Sequence, residues 1–245
     1  MTPEILLEVA DLTVRYRNGA LGVQGVSFEV RPSQIVAILG AAGAGKTTTV
    51  RGISGFLRSE GARVVQGSVT FQGQPITNQE PHKVCRLGLF AVPERRKIFP
   101  NLSVHENLEA LGGRLVTGER RAEVETLIFD LFPVLGQVRR QLAGRLSGGQ
   151  QQMLAIARAL MVDPKLLIID EMTLGLHPSL HEPLFEAVQR IAATGSAVLL
   201  VDESTGNTLE VAQHCVLLKA GQVWAAGPSS DFVGNELLVA GYVGG

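Results

Sequence analysis

Short apolar runs alternate along this chain with longer segments whose apolar positions recur at helical spacing. Three of the runs have the length and Val-, Ile- and Leu-rich character of parallel strands buried on both faces: IVAILG (35–40), LLIID (166–170) and AVLLVD (197–202). A helical pattern follows each run, over residues 46–56, 179–193 and about 205–213. Because strand, loop and helix repeat in this order, we expect an α/β fold with a mainly parallel sheet flanked by helices.

Other parts of the chain break this rhythm. Residues 5–30 and 67–74 alternate apolar and polar positions, which predicts antiparallel strands beside the parallel sheet. The segments CVLLKAG (215–221) and QVWAAG (222–227) predict a hairpin. Residues from about 95 to 160 are rich in helical patterns and contain no convincing strand, which predicts a helical insert.

The chain is therefore expected to form a single domain over residues 1–245. Residues 1–94 and 161–245 would form its core together with the antiparallel β subdomain, and residues 95–160 the helical insert. Apolar residues make up 45% of the chain, enough for a sizeable core, and we find no linker between independent domains.

Charge and cysteine content exclude several classes of protein. The formal net charge is -1, which gives no argument for nucleic-acid binding. Cys85 and Cys215 lack metal-ligand spacing and cannot form a disulfide framework, so we interpret them as core residues in a reducing compartment. The N-terminus has no signal-peptide pattern, and no run of about 18 apolar residues predicts a membrane span. Any membrane role would come through partners.

A complete phosphate-loop motif lies between the first apolar run and the helix after it. GAAGAGKT (40–47) fits G-x-x-x-x-G-K-[ST], in the strand-to-helix context that the motif requires. Its glycines allow the backbone to fold around a phosphate at a helix N-terminus. Lys46 would reach the β- and γ-phosphates of ATP, and the Thr47 hydroxyl would bind Mg²⁺. The predicted nucleotide-binding residues are Gly40, Ala41, Ala42, Gly43, Ala44, Gly45, Lys46, Thr47 and Thr48. The alternative is a Gly-rich turn without a ligand.

Two carboxylates end the second apolar run, LLIIDE (166–171). After a complete phosphate loop, this pattern predicts that Asp170 holds Mg²⁺ through water. Glu171 would polarise the attacking water as a general base, with Lys46 as a further catalytic group. The alternative for Glu171 is a solvated surface acid.

The segment LSGGQQQMLAIARAL (146–160) strongly resembles the ABC ATPase signature. Ser147 suits a helix N-cap, and the glycines leave backbone N–H groups open. The resemblance implies a P-loop NTPase fold of the ABC type and a composite site in a head-to-tail dimer. Ser147, Gly148, Gly149 and Gln150 of one subunit would close on the ATP held by the phosphate loop of the other. An ordinary capped helix is the alternative.

Further positions extend the resemblance over nearly the whole chain. Tyr16 matches the aromatic residue that stacks on adenine in the family, although it could instead only pack on the sheet. AVPERRKIFPNLSVHENL (91–108) resembles the ATPases of branched-chain amino acid importers and of related urea and amide importers. Glu94 fills the position, usually glutamine, that links nucleotide and membrane partner, and we include it among the metal-site residues. Phe99 and Leu102 are either permease contacts or core of the insert.

Several positions depart from the family pattern. Where relatives carry a histidine, or a glutamine in the branched-chain group, that touches the γ-phosphate, this chain has Glu203, which we include among the candidate catalytic residues. A carboxylate there is repelled by phosphate, so either Glu203 turns away or γ-phosphate sensing is weakened, and we hypothesise slow intrinsic hydrolysis. Met172 replaces the usual proline, His177 an aspartate or small residue, and Ala42 an asparagine.

The resemblance implies a transport ATPase with ATP and Mg²⁺ as cofactors. Its partners would be a second ATPase subunit (self or paralogue), two integral membrane permease subunits and, indirectly, an external solute-binding protein, with no nucleic acid. It would lie peripherally on the cytoplasmic face of the inner (plasma) membrane and drive uptake of branched-chain amino acids or similar small solutes. The alternative is an ATP-operated switch with weak hydrolysis beside a catalytically complete paralogue. A ribosome- or DNA-acting ABC protein is disfavoured, because the chain has one cassette and no heptad run.

Overall fold

Two sheets organise the fold in the computed structural model, which describes residues 5–94, 97–112, 116–203 and 206–234. The strands are β1 (Leu7–Tyr16), β2 (Leu21–Val30), β3 (Ile35–Leu39), β4 (Ala62–Phe71), β5 (Gln74–Pro75), β6 (Leu89–Val92), β7 (Leu166–Asp170), β8 (Ala197–Asp202), β9 (His214–Lys219) and β10 (Gln222–Pro228). The larger sheet has the order β10-β9-β3-β8-β7-β6, and the smaller sheet has the order β2-β1-β4-β5. Pairing is parallel from β9 through β6, whereas β10 and the smaller sheet pair antiparallel.

Helices cover the larger sheet and fill the middle of the chain. They are α1 (Lys46–Ser54), α2 (Pro81–Arg86), α3 (Val104–Gly112), α4 (Gly118–Leu131), α5 (Pro133–Gln137), α6 (Gly148–Leu160), α7 (His181–Ala193) and α8 (Gly206–Val211). Short 3₁₀ turns lie at Phe56–Glu60, Ala143–Arg145, Pro178–Leu180 and Ser229–Asp231. No helix in the described part of the chain is both long and apolar enough to cross a bilayer.

The larger sheet separates two apolar cores. Alternate residues of β3 point to opposite sides: Ala37 and Leu39 join the core under α6 and α7, whereas Val36 and Ile38 join the core shared with α1 and the smaller sheet. All five residues of β3 are buried. Because full burial of an aliphatic side chain stabilises by about 1.5–3 kcal/mol, the central strands are anchored from both faces.

The register of the parallel strands brings three chain segments together at one edge. In the β3–β8 pair Leu39 lies opposite Asp202, and in the β7–β8 pair Asp170 lies opposite Val201. The loops that follow β3, β7 and β8 therefore leave the sheet side by side at its carboxyl edge. Ligand sites of open α/β sheets form at such edges.

The predicted fold class, a mainly parallel sheet flanked by helices with an antiparallel sheet beside it, is confirmed, as is the hairpin of β9 and β10. The strand predicted at 67–74 is longer: β4 begins at Ala62. Gly67 lies within β4 with a left-handed φ of 81°, at the point where the β1–β4 register shifts and the alternation of apolar positions breaks. The prediction also missed β6, whose four residues LFAV are too short a run to stand out.

Helices α3 to α6 occupy the region predicted as an insert. The described residues between 97 and 160 form these helices, the short 3₁₀ turn at Ala143–Arg145 and an isolated β-bridge between Ser103 and Leu142. The exact division of the chain into a core and an insert stays a prediction.

Candidate nucleotide-binding site

The glycine-rich loop joins β3 to α1 and depends on glycine at two positions. Gly43 and Gly45 have φ values of 79° and 105°, in the left-handed region that favours glycine. A Cβ atom at Gly45 would lie 2.6 Å from Cγ1 of Val23, so a larger residue there meets both strain and overlap. A Cβ atom at Gly43 would meet nothing within 4 Å, so the loop is open on that side. The sequence thus folds into a loop whose backbone N–H groups a phosphate can approach closely.

Lys46, the first residue of α1, lies at the electrostatic centre of the site. Its side chain is nearly buried, with the residue only 5% exposed. The ammonium donates to the carbonyl oxygens of Gly40 (2.6 Å) and Ala41 (3.3 Å). It also lies 3.5 Å from Oε1 of Glu171 and 3.3 Å from Oε1 of Glu203. One ammonium is therefore shared by two carboxylates that come from the ends of β7 and β8.

Asp170, the last residue of β7, is buried, and one of its carboxylate oxygens has no hydrogen-bond partner in the described part of the chain. The hydroxyl of Thr47 lies near this carboxylate and lowers its pKa. Burial, helped by the charge of Glu94, raises the pKa of Asp170 to about 6, against the opposing effect of Lys46 and Arg51. Because a buried polar atom normally has a partner, the unpaired oxygen fits a site for a hard cation.

Glu171 follows Asp170 with an unusual backbone. Its φ is 52°, a strained conformation for a residue other than glycine, while its N–H donates to the carbonyl of Val201 (2.8 Å). Burial raises the pKa of Glu171 to about 7, and the charges of Asp202, Glu203 and Asp170 act in the same direction while Lys46 opposes them. A carboxyl with a pKa near neutrality can exchange a proton with water at working pH.

One open cleft of about 370 Å³ is lined by half of the predicted site residues. Its lining comprises Leu21, Gly22, Ala42, Gly43, Gly45, Lys46, Thr47, Thr48, Glu94, Glu171, Leu174 and Glu203. Glu94 comes two residues after β6, the strand that the sequence prediction missed. This strand places Glu94 near Asp170. Prediction from sequence also missed Leu21 and Leu174, whose side chains line the cleft although the residues are 45% and 58% exposed. No motif marks these two residues; only their exposure does.

Tyr16, at the end of β1, lies beside the phosphate loop. Its hydroxyl and that of Thr48 are 2.9 Å apart. Its ring packs against Gly22, where a Cβ atom would lie 2.7 Å from Tyr16 Cε2. Gly22 is therefore a further residue of the site that the sequence prediction missed, since a lone glycine in a strand carries no functional signal.

The signature segment forms the first turn of α6, away from this cleft. Ser147 accepts from the N–H of Gln150 (3.3 Å), and the Ser147 N–H donates to the Gln150 side chain (3.0 Å), which completes a capping box. A Cβ atom at Gly149 would lie 2.3 Å from Leu180 Cδ1, so a side chain there would require the half-buried Leu180 to shift. The cleft around Lys46 is not lined by Ser147, Gly148, Gly149 or Gln150.

The remaining predicted positions have structural partners. Met172 is buried in the core beneath α7. The imidazole Nδ1 of His177 accepts from the N–H of Ser179 and so caps the following 3₁₀ turn. Phe99 is 47% exposed and carries the guanidinium of Arg158 over its ring at 4.3 Å, whereas Leu102 is half-buried.

A second groove opens behind the phosphate loop. Its volume is about 630 Å³, and Thr47, Glu94 and Asp170 line it from the side of the nucleotide site. Phe56 lines its outer part and is 47% exposed. Phe56 is an apolar surface residue to which no sequence motif pointed.

Comparison with known proteins agrees with this geometry. The ABC transporter family matches residues 23–174. The chain is 33% identical over 235 residues to the high-affinity branched-chain amino acid transport ATP-binding protein BraG of Pseudomonas aeruginosa, covering 96% of this chain and 98% of the relative. It is 29% identical to the lipopolysaccharide export system ATP-binding protein LptB of Haemophilus influenzae, with 98% and 97% covered. A solved nucleotide-free ATP-binding cassette from an ABC transporter superposes with a TM-score of 0.83 at 26% identity, with 98% of each chain covered.

Proposed function

The chain belongs to the ABC transporter family, and from this premise we propose that it drives an importer of branched-chain amino acids or similar small solutes. It binds ATP and is an ATPase of that family. The observation that carries the proposal is the convergence of the phosphate loop, Lys46, Asp170, Glu171 and Glu94 at one edge of the sheet. Similarity to BraG supports branched-chain amino acids or similar small solutes as the transported class. The resemblance of the segment 91–108 to the ATPases of such importers supports the same class independently of overall identity.

In the proposed mechanism different residues at the sheet edge bind different parts of ATP. The backbone of residues 40–45 surrounds the β-phosphate, and Lys46 binds the β- and γ-phosphate oxygens. Tyr16 stacks on the adenine, and Thr48 contributes to the phosphate site from the first turn of α1. The glycine conformations and the buried ammonium support this assignment.

The chemistry of the donors at Asp170 fits Mg²⁺. Thr47 and Asp170 would hold the ion, and Glu94 lies close enough to influence the charge of Asp170. In the described residues no cluster of three or more His, Cys, Asp or Glu could hold a metal alone, which suits an ion bound mainly by phosphate and water. Bound there, Mg²⁺ would neutralise charge on the β- and γ-phosphates.

Glu171 is the proposed general base for attack of water on the γ-phosphorus. Its pKa of about 7 places it where a carboxyl accepts a proton most usefully at neutral pH. Lys46, 3.5 Å from the same carboxyl, stabilises its charged form. Bond formation from water oxygen to phosphorus and departure of ADP are then assisted mainly by positioning and electrostatics.

The site would be completed by a second subunit. In a single chain the capped turn at Ser147 stands outside the cleft, so its open N–H groups have no phosphate to bind there. A head-to-tail pair, with itself or with a paralogue, would bring that turn of one subunit onto the ATP of the other. The exposed side chains of Leu21 and Leu174 at the cleft suit burial in such an interface.

The second groove is the proposed seat of a cytoplasmic helix from the permease. Glu94 and Asp170 line this groove, and Glu94 also lines the nucleotide cleft, so a helix there would sense the state of the site. Phe56 offers an apolar anchor in this groove, and Phe99 and Leu102, which do not line it, stay candidate contacts on the strength of the sequence resemblance. The chain would thus be held at the cytoplasmic face of the membrane by two permease subunits that receive solute from an external binding protein.

A switch with weak hydrolysis, working beside a catalytically complete paralogue, is the second candidate. The observation in its favour is Glu203, a carboxylate that lines the cleft where ATP would place its phosphates. The presence of LptB among the relatives also leaves an export partner as an alternative to an importer.

The test is Mg-ATP turnover by the purified chain over a range of protein concentrations, with Lys46→Ala as the background. We expect turnover above that background, and turnover per subunit that rises with protein concentration, because each site needs two subunits. ATP binding without turnover would favour the switch. Absence of ATP binding by the folded chain would refute both candidates.

A further inference from the structure

Two carboxylates and a backbone carbonyl share the ammonium of Lys46. Glu203 and Glu171 lie 3.3 and 3.5 Å from Nζ, and the carbonyl of Gly40 accepts from it at 2.6 Å. Phosphate oxygens bound by the loop would add further negative charge to the same ammonium. Binding of a polyphosphate must therefore redistribute the contacts of Lys46.

The two carboxylates differ in how readily they can give up this contact. The Glu171 side chain is only 11% exposed, and its backbone is tied to Val201. The Glu203 side chain is 49% exposed, so water can replace the ammonium when the contact breaks. Glu203 is therefore the partner that phosphate displaces.

We propose that Glu203 is a positioning residue that competes with the phosphates of the nucleotide for Lys46 and so sets nucleotide affinity rather than the rate of γ-phosphate cleavage. This inference rests on the proposed role of Lys46 in binding ATP. A half-exposed ion pair contributes little, so we expect Glu203 to weaken nucleotide binding by about three- to tenfold.

The choice of nucleotide separates this role from sensing of the γ-phosphate. Lys46 reaches the β- and γ-phosphates, so competition for it affects ATP and ADP but not AMP. A residue that contacts only the γ-phosphate would affect ATP alone. Dissociation constants for the three nucleotides therefore distinguish the two roles without any measurement of turnover.

The choice of substitution separates competition for Lys46 from simple repulsion of phosphate. Glu203→Gln removes the charge and weakens the contact. Glu203→Asp keeps the charge but is one methylene shorter, so it no longer spans the 3.3 Å contact. Competition predicts that both variants bind nucleotide more tightly, whereas repulsion predicts that Glu203→Asp behaves as the unmodified chain. Glu210→Gln, the same charge change at an exposed position on α8, is the matched control.

The experiment is calorimetric titration of ATP, ADP and AMP into the unmodified chain and the three variants, with steady-state turnover measured in parallel. We expect Glu203→Gln and Glu203→Asp to lower Kd for ATP and ADP by about three- to tenfold, to leave AMP binding unchanged and to lower KM for ATP in the same proportion. The control should match the unmodified chain, and thermal unfolding verifies that each variant folds.

Three results would overturn the inference. They are a change in Kd for ATP but not for ADP, a Glu203→Asp variant that binds nucleotide with the same Kd as the unmodified chain, or no change in any Kd. These results leave the proposed ATPase intact, since they compare variants that all bind nucleotide. Failure of the unmodified chain to bind ATP would instead refute the proposed function itself.

Discussion

The hydroxyls of Tyr16 and Thr48 lie 2.9 Å apart, although 32 residues separate them in the chain. The contact joins the end of β1 in the antiparallel sheet to the first turn of α1 in the parallel core. It sets the aromatic ring beside the phosphate loop, at a fixed distance from Lys46 two positions earlier in the helix. A base on the ring and phosphates in the loop would be held in one orientation.

Tyr16→Ala should weaken ATP binding by about tenfold or more, because stacking of a base on an aromatic ring contributes roughly 1–3 kcal/mol. Tyr16→Phe keeps the ring and loses only the hydroxyl contact, so it should change affinity by no more than about threefold. Titration of inorganic triphosphate, which has no base, is the control. If Tyr16→Ala weakens triphosphate binding equally, the ring supports the loop and does not stack on adenine.

Ser147 combines two roles that substitution can separate. Ser147→Ala removes the cap of α6 and should cost about 1 kcal/mol of stability. Ser147→Asp keeps a good N-cap and should preserve the midpoint of thermal unfolding, but it places a carboxylate where the γ-phosphate of the partner's ATP would bind. Turnover at saturating protein concentration should therefore fall at least tenfold in Ser147→Asp. Retained turnover would argue against a composite site.

Stability without nucleotide should fall as the pH rises from about 5 to 8. The pKa values of Asp170 and Glu171 are raised in the folded chain, to about 6 and about 7, so folding favours their protonated forms. Their contribution is fully present below the unfolded pKa values and is lost as the pH passes the folded ones. Glutamine at this position does not ionise. In Glu171→Gln the free energy of unfolding, measured with urea, should therefore depend less on pH and be about 1–2 kcal/mol higher at pH 8 than in the unmodified chain. Parallel profiles would contradict the raised pKa of Glu171.

Gly45→Ala should abolish measurable ATP binding and destabilise the fold. The new Cβ would lie 2.6 Å from Val23 at a φ of 105°, so the loop or the strand must move. Gly19→Ala is a suitable comparison, because Gly19 also has a left-handed φ of 86° but nothing within 4 Å. It should cost only about 1 kcal/mol and leave ATP affinity unchanged. Equal effects of both variants on binding would show that the cramped site at Gly45 is unimportant.

Phe56→Ser tests the proposed permease groove. Phe56 lies outside the nucleotide cleft, so ATP turnover by the isolated chain should be unchanged within about twofold. Binding to co-expressed permease subunits, measured as the amount of this chain that co-purifies with them in detergent, should fall about tenfold or more. Trp224→Ser, at an exposed apolar position on β10, should bind as the unmodified chain. Equal retention of both variants would place the permease elsewhere.

The sequence predicted the elements of the fold correctly where a single local segment carries the whole pattern. The strand, loop and first helical turn around residues 35–48 form such a segment, and so does the strand that ends at Asp170. The resemblance placed Glu203 at the γ-phosphate that Lys46 would reach, but it indicated no direct contact between the two side chains. Nothing local in the sequence indicates that Glu203 would lie against Lys46, or that Glu171 would take a left-handed backbone. The missed strand β6 shows the same limit, because its four residues become a strand only through pairing with β7.

The site assembles only when the parallel strands pair in the register described above. Side chains alternate between the two faces of a strand, so a slip of β7 or β8 by one residue would exchange every inward and outward position. Asp170 and the segment before Glu203 would then turn away from the edge at which Lys46 lies. A mispaired chain could keep its helices and much of its compactness while losing all turnover. Selection for hydrolysis therefore acts on the alignment of three strands at once, and a turnover screen of variants doubles as a screen for correct strand pairing.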